Sequence, residues 1–410
     1  MRYYFDELKE GMSIAFGAIR ANKMRSVLTT LGIVIGIVSV TLMGTAIEGL
    51  NRAFNKSIAA VGADVLYIQK WPWGGGGNWW EIRNRRDISI QHARAIEKSA
   101  ERVRSVSPAA GTARNVQYQR KLIENAIIVG TDEDFLETSN VNVVLGRFMI
   151  APEVSGGRPV CVLGSEIAEN LFPNESPLGK VIKVGNYPYR VLGVLERQGS
   201  FLGMATLDNR VYLPIQRFFK EFKGMRGGSI DVMVKASSLV DLEETKEEVR
   251  GIMRKARKLS PKQQDDFAIN QQEFFIEVFN QIGGVIAAVG LFITGLSLFV
   301  GGIGIMNIMF VSVTERTKEI GLRKAIGAPR RSILMQFLME AAGLCLMGGI
   351  IGIFIAFPLS LIIDQVLPTA MPVSIVVVAL LVSIMVGVIS GFLPAYRASR
   401  MDPVDALRYE

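Results

Sequence analysis

The sequence has few of the residues on which many enzymes and small secreted proteins depend. It contains two cysteines, Cys161 and Cys345, and one histidine, His92. Cys345 lies in an apolar run and Cys161 in a mixed segment, so we expect no disulfide framework and no thiolate metal cluster. A single histidine excludes most histidine-based catalysis and is interpreted as a surface side chain. Because no catalytic triad, paired acids or metal-ligand spacing is present, we predict no catalytic residue, metal site or enzymatic activity on this chain.

Charge is absent from four long stretches of the chain. Of its 410 residues, 49% are hydrophobic and 20% are charged. The charge-free runs are 26–47, 278–314, 341–363 and 365–396. A helix needs about 20 apolar residues to cross a bilayer, and buried helices of soluble proteins rarely stay charge-free for so long. We therefore predict four transmembrane helices, at about 27–47, 283–312, 334–363 and 373–395. No small-residue cleavage site follows residue 47, so the first is interpreted as a retained helix.

The basic residues beside these runs predict the orientation of the helices. Lysine and arginine in short loops favour the cytoplasmic side. They precede helix 1, separate helices 2 and 3, and follow helix 4, whereas the turn 364–372 has none. The residues counted are Arg2, Lys9, Arg20, Lys23, Arg25, Arg316, Lys318, Arg323, Lys324, Arg330, Arg331, Arg397, Arg400 and Arg408. Both termini are therefore predicted to be cytoplasmic, with a large segment between helices 1 and 2 on the opposite side.

The residues before helix 1 have apolar side chains at helical spacing. They are Phe5, Leu8, Met12, Ala15, Phe16 and Ile19. This pattern is typical of an amphipathic helix that lies on the membrane surface with lipid as its partner. A helix packed on a partner protein is the alternative. No nucleic-acid partner is predicted.

The large segment between helices 1 and 2 alternates strand-like and helix-like patterns. Residues 64–69 (DVLYIQ) and 229–236 (SIDVMVKA) predict strands, Ser89 is a plausible N-cap for a helix over 90–98, and residues 180–196 predict a hairpin that turns at Gly185. The predicted fold is a membrane protein of four transmembrane helices with a large extracytoplasmic α+β domain of two lobes.

The predicted boundaries follow from these patterns. They are 1–25 for the cytoplasmic amphipathic helix, 26–50 for transmembrane helix 1, 51–280 for the outer domain with stalk-like ends, 281–313 for helix 2, 314–333 for a cytoplasmic loop, and 334–410 for helices 3 and 4 with the tail.

All four tryptophans lie in one glycine-rich stretch, WPWGGGGNWW. They are Trp71, Trp73, Trp79 and Trp80. One interpretation is a contact site for a partner protein, a second subunit or the membrane surface. The other is a loop whose rings fold back on the domain.

Glycine pairs at i and i+4 occur within three of the predicted spans, where they let helices approach closely. The two alternatives for these pairs are contact with a second copy of the chain and packing within one chain. The pairs are Gly32/Gly36, Gly348/Gly352 and Gly387/Gly391.

The loop after helix 2 is short, basic and patterned as a helix over Glu319–Ala328 (EIGLRKAIGA). Gly327 followed by Pro329 predicts the helix end. Apolar residues repeating along such a helix can seat in a groove of a partner. The alternative is that the basic residues only set topology or contact anionic lipid.

Four stretches carry a family resemblance. The loop EIGLRKAIGA, the start IRANKMRSVLTTLGIVIGIVSV (19–40) and the ending PAYRASRMDPVDALRYE (394–410) resemble the permeases of MacB-type ABC transporters, the FtsX-like superfamily. The segments GADVLYI, GRPVCVLGSEIAENLF, PLGKVIKV and YRVLGVLE are similar to the MacB periplasmic core domain. The resemblance covers nearly the whole chain.

The resemblance implies a permease in the bacterial inner membrane, with a periplasmic domain, that pairs with a second identical or paralogous permease. It implies that ATP hydrolysis in the cytoplasm drives a periplasmic conformational change for export, of the efflux or lipoprotein-release type, with a periplasmic adaptor and an outer-membrane channel as further expected partners. The alternative is a non-transporting FtsX-like regulator of cell-wall hydrolases. The residues implied in coupling to the ATPase are Glu319, Ile320, Gly321, Leu322, Arg323, Lys324, Ala325, Gly327 and Ala328.

The chain departs from MacB in one respect. It contains no GxxxxGK[ST] phosphate loop. We therefore expect no cofactor on this chain, and ATP with Mg²⁺ on a separate cytoplasmic ATPase subunit.

Overall fold

The computed structural model describes residues 23–59, 62–75, 78–201, 205–223, 228–364, 369 and 371–408. The predicted amphipathic helix before residue 23, and Gly76 and Gly77 of the tryptophan-rich stretch, lie outside these residues. Its helices, in chain order, are α1 (Lys23–Ala59), α2 (Trp79–Asn84), α3 (Ile90–Ser99), α4 (Phe135–Ser139), α5 (Ala151–Ser155), α6 (Ser165–Leu171), α7 (Ile215–Phe218), α8 (Leu242–Ala256), α9 (Glu273–Glu315), α10 (Thr317–Ala325), α11 (Arg330–Asp364), α12 (Val373–Arg400) and α13 (Pro403–Arg408). A π-helical turn, Phe219–Lys223, follows α7.

Most of the strands are short. In chain order they are β1 (Val65–Gln69), β2 (Val103–Tyr118), β3 (Lys121–Thr131), β4 (Val143–Gly146), β5 (Val160–Leu163), β6 (Val181–Val184), β7 (Tyr187–Leu195), β8 (Ser200–Phe201), β9 (Ala205–Thr206), β10 (Arg210–Pro214), β11 (Asp231–Ala236) and β12 (Ala268–Asn270). The hairpin β6–β7 turns at Gly185, which has a φ of +58°, as its sequence predicted.

Two compact units divide the chain. One contains the described residues up to Ala53 and from Asn280 onward, and the other contains Phe54–Phe279. The first unit holds the four helices that are long and apolar enough to cross a membrane, which belong to α1, α9, α11 and α12. Each of the four predicted spans therefore falls within a helix that is long and apolar enough to cross a membrane.

Glycines allow the helices of the first unit to pack closely. A Cβ at Gly32 of α1 would lie 3.0 Å from the Cα of Gly301 in α9. A Cβ at Gly352 would lie 3.0 Å from Ile37, and one at Gly387 would lie 2.8 Å from the Ala341 carbonyl oxygen. Members of all three predicted glycine pairs thus pack within one chain, the second of the two alternatives.

The second unit is an α+β domain built on one path of paired strands. Their order is β12-β1-β11-β2-β3-β10-β5-β7-β4, with β6 beside β2 and β7. Strand β2 has 16 residues. Its first half, Val103–Ala109, pairs with β11, and its second half, Ala110–Tyr118, pairs with β3. The strand path therefore has two parts that share β2: the first lobe, with β1, β11 and β12, and the second lobe, with β3 to β7 and β10.

The first lobe shows why local sequence forms these elements. From Leu66 onward, strand β1 alternates buried and half-buried side chains, and Leu66 and Ile68 are fully buried in the core. Helix α3 begins where the sequence predicted, and the backbone N–H of Ser89 donates to His92 Nδ1 at 2.9 Å. His92 therefore caps a helix. Burial and the charge of Arg257 hold its pKa below the ordinary histidine value.

Candidate functional site

Helix α10 lies in the loop between the second and third candidate spans. It ends as the sequence predicted, because Gly327 has a φ of +95°, a conformation that glycine adopts without strain. The Gly327 N–H donates to the Lys324 carbonyl at 3.0 Å, and the Ala328 N–H donates to the Arg323 carbonyl at 3.0 Å. This pair of bonds is a Schellman motif, which satisfies the last carbonyls of the helix.

One face of α10 packs on the C-terminal helix α13. Ile320 is 3% exposed and Gly321 is buried. A Cβ at Gly321 would lie 2.7 Å from the Cβ of Ala406, which is itself buried. Two residues without bulk therefore allow the two helices to touch. Ile320 and Gly321 were both predicted to couple to a partner, and in the structure both are buried within this chain.

The charged residues of α10 also bind within the chain. Arg323 donates to Gln336 Oε1 of α11 at 2.5 Å and pairs with Glu319 Oε1 at 2.6 Å. Lys324 Nζ donates to the Met401 carbonyl at 2.5 Å. Burial, together with the nearby charge of Arg330, lowers the pKa of Lys324 below its usual value. These contacts attach α10 to α11 on one side and to the residues after α12 on the other.

An ion pair joins the start of the loop to the third candidate span. Arg316 Nη1 lies 3.3 Å from Glu340 Oε2, and the Glu340 side chain is 3% exposed. A buried carboxylate without its cation would be costly, so this pair holds α10 against α11.

The opposite face of α10 is exposed and apolar. Leu322 is 58% exposed and Ile326 is 79% exposed. Ala325 and Gly327 beside them are also exposed, whereas Ala328 is half-buried. Within the described part of the chain nothing covers this face. The coupling residues predicted from the sequence are therefore divided between a face that packs internally and a face available to a partner.

The tryptophan-rich stretch is divided in a similar way. The Trp73 ring packs 4.6 Å from the Phe275 ring of α9 and 5.2 Å from Tyr67. Asn270 holds the backbone here, accepting from the Trp73 N–H at 3.0 Å and donating to the Trp71 carbonyl at 3.0 Å. Trp73 thus folds back on the domain, as one of the two interpretations expected.

The remaining three tryptophans are exposed. Trp71 is 45%, Trp79 is 52% and Trp80 is 63% exposed. Trp79 and Trp80 meet edge to face with centroids 4.9 Å apart. The Arg83 guanidinium lies 5.1 Å from the first ring and 5.9 Å from the second, within cation–π range. For these residues the contact-site interpretation stays open.

An acidic cavity that sequence reasoning missed lies within the second unit. It has a volume of about 210 Å³ and is lined by α3, by the loop after β3, and by α5 and α7. Its carboxylates are Glu97, Asp132, Glu133 and Asp134. The run Asp132-Glu133-Asp134 directly after an apolar strand was the available signal, but Glu97 joins it only in the folded domain.

Asp132 is the most perturbed of these acids. Burial, reinforced by the charges of Asp134 and Glu133, raises its pKa to about 7, although Ser107 Oγ donates to its Oδ1 at 2.6 Å. Burial and neighbouring carboxylates raise the pKa of Asp134 as well.

The raised pKa of Asp132 leads us to expect that the stability of the protein depends on pH. Because the folded-state pKa of Asp132 lies above the ordinary aspartate value of 3.8, between these two values the folded protein binds a proton that the unfolded chain does not. The free energy of unfolding should therefore fall as pH rises from about 4 to about 7, by at most about 1.4 kcal/mol for each pH unit. Asp132→Asn keeps the acceptor for Ser107 and should remove most of that dependence. Thermal unfolding of both proteins across this range is the measurement, and parallel curves would contradict the assignment.

Comparison with known proteins identifies the class to which this arrangement belongs. A family model described as MacB-like periplasmic core domain matches residues 26–252. A second, described as FtsX-like permease C-terminal, matches residues 291–403. The chain therefore belongs to the MacB-type, FtsX-like permease family. This confirms the resemblance seen in the sequence and the predicted fold class of four candidate transmembrane helices with an α+β periplasmic domain after the first.

Two curated relatives, both named MacB, agree with this family. The chain is 33% identical over 408 residues to the macrolide export ATP-binding/permease protein MacB of Bdellovibrio bacteriovorus, covering 98% of this chain and 62% of that protein. It is 31% identical over 411 residues to the protein of the same name in Neisseria meningitidis serogroup A, covering 99% and 62%. The chain thus spans about three fifths of the length of these curated relatives. The crystal structure of the periplasmic region of MacB from Actinobacillus actinomycetemcomitans has 20% identity and a TM-score of 0.45, covering 54% of this chain and 95% of that one.

Proposed function

We propose that this chain is the permease subunit of a mechanotransmitting ABC transporter, in which ATP hydrolysis at the cytoplasmic face changes the conformation of the periplasmic domain for export of a substrate. The observation that carries the proposal is helix α10. Its inner face is fixed to α11 and α13, while its outer face presents Leu322 and Ile326 without cover in the described chain. A helix with a free apolar face suits insertion into a groove of a partner.

The partner is a cytoplasmic ABC ATPase subunit that binds ATP and Mg²⁺. Membership of a family whose relatives are named ATP-binding/permease proteins supports this proposal.

The orientation that follows places both termini and α10 in the cytoplasm and the domain over Phe54–Phe279 in the periplasm. The basic residues flanking the spans support it. A second permease, identical or paralogous, completes the transporter, and a periplasmic adaptor and an outer-membrane channel are further partners.

Specific contacts connect α10 to the helices that contain the candidate spans, so a displacement of α10 is passed on to them. The pairs Arg316–Glu340 and Arg323–Gln336 connect α10 to α11. Lys324 connects it to Met401, directly after α12. Helix α9 precedes α10 and is a single helix of 43 residues. Because buried pairs and continuous helices resist local deformation, a push on α10 moves the ends of these helices together.

At its other end, α9 is joined to the end of α1. The Phe279 ring stacks on the Phe54 ring with centroids 4.0 Å apart and an interplanar angle of 19°. Both rings belong to the second unit. Helices α1 and α9 each continue from a candidate span into the domain, and this stacking makes them move as a pair at that point. A stalk that transmits motion requires such a connection.

The decisive experiment measures whether ATP changes the domain. Val240 is 91% exposed and Cys161 and Cys345 are both buried, so a Val240→Cys variant can be labelled selectively with a nitroxide. We expect an ABC ATPase to co-purify in mild detergent. We also expect the label-to-label distance between two permeases to change with ATP and vanadate only when that ATPase is present.

Two outcomes would change the conclusion. If no ATPase co-purifies and ATP leaves the distances unchanged, the chain is not driven in this way. If distances change but the complex activates a peptidoglycan hydrolase and exports nothing, the regulator alternative replaces export.

A further inference from the structure

We propose that Trp79, Trp80 and Arg83 form a membrane-contact patch that inserts into the headgroup region of the bilayer crossed by this chain's own helices. The ligand is a phospholipid surface, with Arg83 binding the phosphate. The proposal depends on the four helices crossing a membrane and not on ATP-driven motion. The membrane-contact patch and the ATP-driven mechanism can therefore fail separately.

The chemistry of the patch suits the boundary between water and lipid. Tryptophan has a large apolar ring and an indole N–H, and it is enriched at membrane interfaces. Both rings are more than half exposed, and the Arg83 guanidinium lies within 6 Å of each centroid. In a soluble domain such exposure costs free energy, which contact with the acyl boundary would remove.

The tryptophan-rich stretch packs on residues just before the second charge-free run. Trp73 packs on Phe275 of α9, and a Cβ at Gly74 would lie 3.1 Å from the Phe274 ring. Phe275 precedes the charge-free run 278–314 by three residues. The tryptophan-rich stretch is thus held on the last residues of the domain before a membrane span.

The positive charge of this segment also complements the phosphate groups of a phospholipid surface. Between residues 70 and 86 there are four basic side chains and one acidic side chain, namely Lys70, Arg83, Arg85, Arg86 and Glu81. Lys70 pairs with Asp87 at 3.1 Å and Arg86 pairs with Asp266 at 3.0 Å. Arg83 is exposed beside the two rings, which places a cation where a lipid phosphate would lie.

Local structure presents the rings outward. Helix α2 starts at Trp79, and Asn78 Oδ1 accepts from the Trp80 N–H at 3.3 Å. Ile82 on the same helix is 4% exposed and holds it on the domain. The inward residue fixes the helix while Trp79 and Trp80 stay available.

Tryptophan fluorescence tests the proposal without an added probe, because all four tryptophans lie within residues 71–80. The full chain is reconstituted in vesicles of phosphatidylcholine and phosphatidylglycerol, and in matched vesicles whose phosphatidylcholine is brominated near the headgroup. We expect the brominated lipid to remove about half of the emission, since two of the four rings would touch lipid. The Trp79→Ala/Trp80→Ala variant should lose most of that quenching.

Two controls separate lipid contact from other causes. Trp73→Phe removes a ring that packs on the domain, and the fraction quenched should not fall. Arg83→Glu should weaken quenching more in vesicles containing phosphatidylglycerol than in phosphatidylcholine alone.

Two results would overturn the proposal. Strong quenching by aqueous acrylamide with none by brominated lipid would show that the patch faces water. Protection from both quenchers would show that a protein surface, such as a second copy of the chain, covers it.

Discussion

Replacing Leu322 and Ile326 together with glutamate is expected to abolish ATP-driven activity while leaving the chain folded and inserted. Both side chains are exposed and make no buried contact within the described chain, so the substitution should not disturb folding. Burial of each in a partner's groove would contribute about 1.5–3 kcal/mol, and a desolvated carboxylate would oppose binding further. We expect affinity for the ATPase subunit to fall by at least about 100-fold.

The measurements are co-purification of the ATPase and ATP-dependent change in the Val240→Cys label distance. Leu239→Glu/Val240→Glu is the matched control in the co-purification assay, because it adds the same two charges at positions that are 60% and 91% exposed in the second unit. Normal ATPase binding by the Leu322/Ile326 variant, with normal activity, would remove this face of α10 from the interface.

The second large effect is expected from Gly301→Leu, in the contact between α1 and α9. A Cβ at this position would lie 3.0 Å from the Ile33 backbone nitrogen and 3.1 Å from the Gly32 carbonyl carbon. Backbone atoms cannot rotate away as a side chain can, so the helices must separate along their contact. Over-packing of this kind costs about 1–3 kcal/mol, which corresponds to a fall in melting temperature of roughly 2–12 °C.

Gly295→Leu on the same helix is the matched control. Apart from the neighbouring residues of its own helix, no atom of the described chain lies within 4 Å of a Cβ placed there. Folded yield after detergent extraction and thermal unfolding of purified protein should therefore be close to normal for Gly295→Leu and strongly reduced for Gly301→Leu. Equal behaviour of the two variants would mean that the α1–α9 contact is not close.

Sequence patterns predicted the features of this fold that depend on neighbouring residues. Charge-free runs located the four spans because crossing a bilayer requires length and apolarity alone. Gly327 located the end of α10 because a left-handed residue is needed there. The MacB-type motifs indicated the family, which the comparisons confirm.

The division of the candidate site into two faces could not be predicted. Ile320 and Leu322 are both apolar and lie two residues apart, yet one is 3% and the other 58% exposed. Ile320 belongs to a buried cluster that includes Val313 and Ile333, and Leu322 does not. Gly321 between them packs on Ala406, more than 80 residues later. The same holds for Trp73 and Trp79, because Phe275 covers one ring and not the other. Such contacts depend on the tertiary fold and leave no local pattern.

The shared strand β2 has a consequence for the order in which the periplasmic domain completes its fold. Val65 of β1 pairs with Lys235 of β11, so the first lobe needs residues from both ends of the domain. All the strands that only the second lobe contains, β3 to β7 and β10, lie between β1 and β11 in sequence. During synthesis from the N-terminus, the second lobe can form against β2 before β11 exists, whereas the first lobe must wait. The lobe that contains the earliest strand is therefore the last to close.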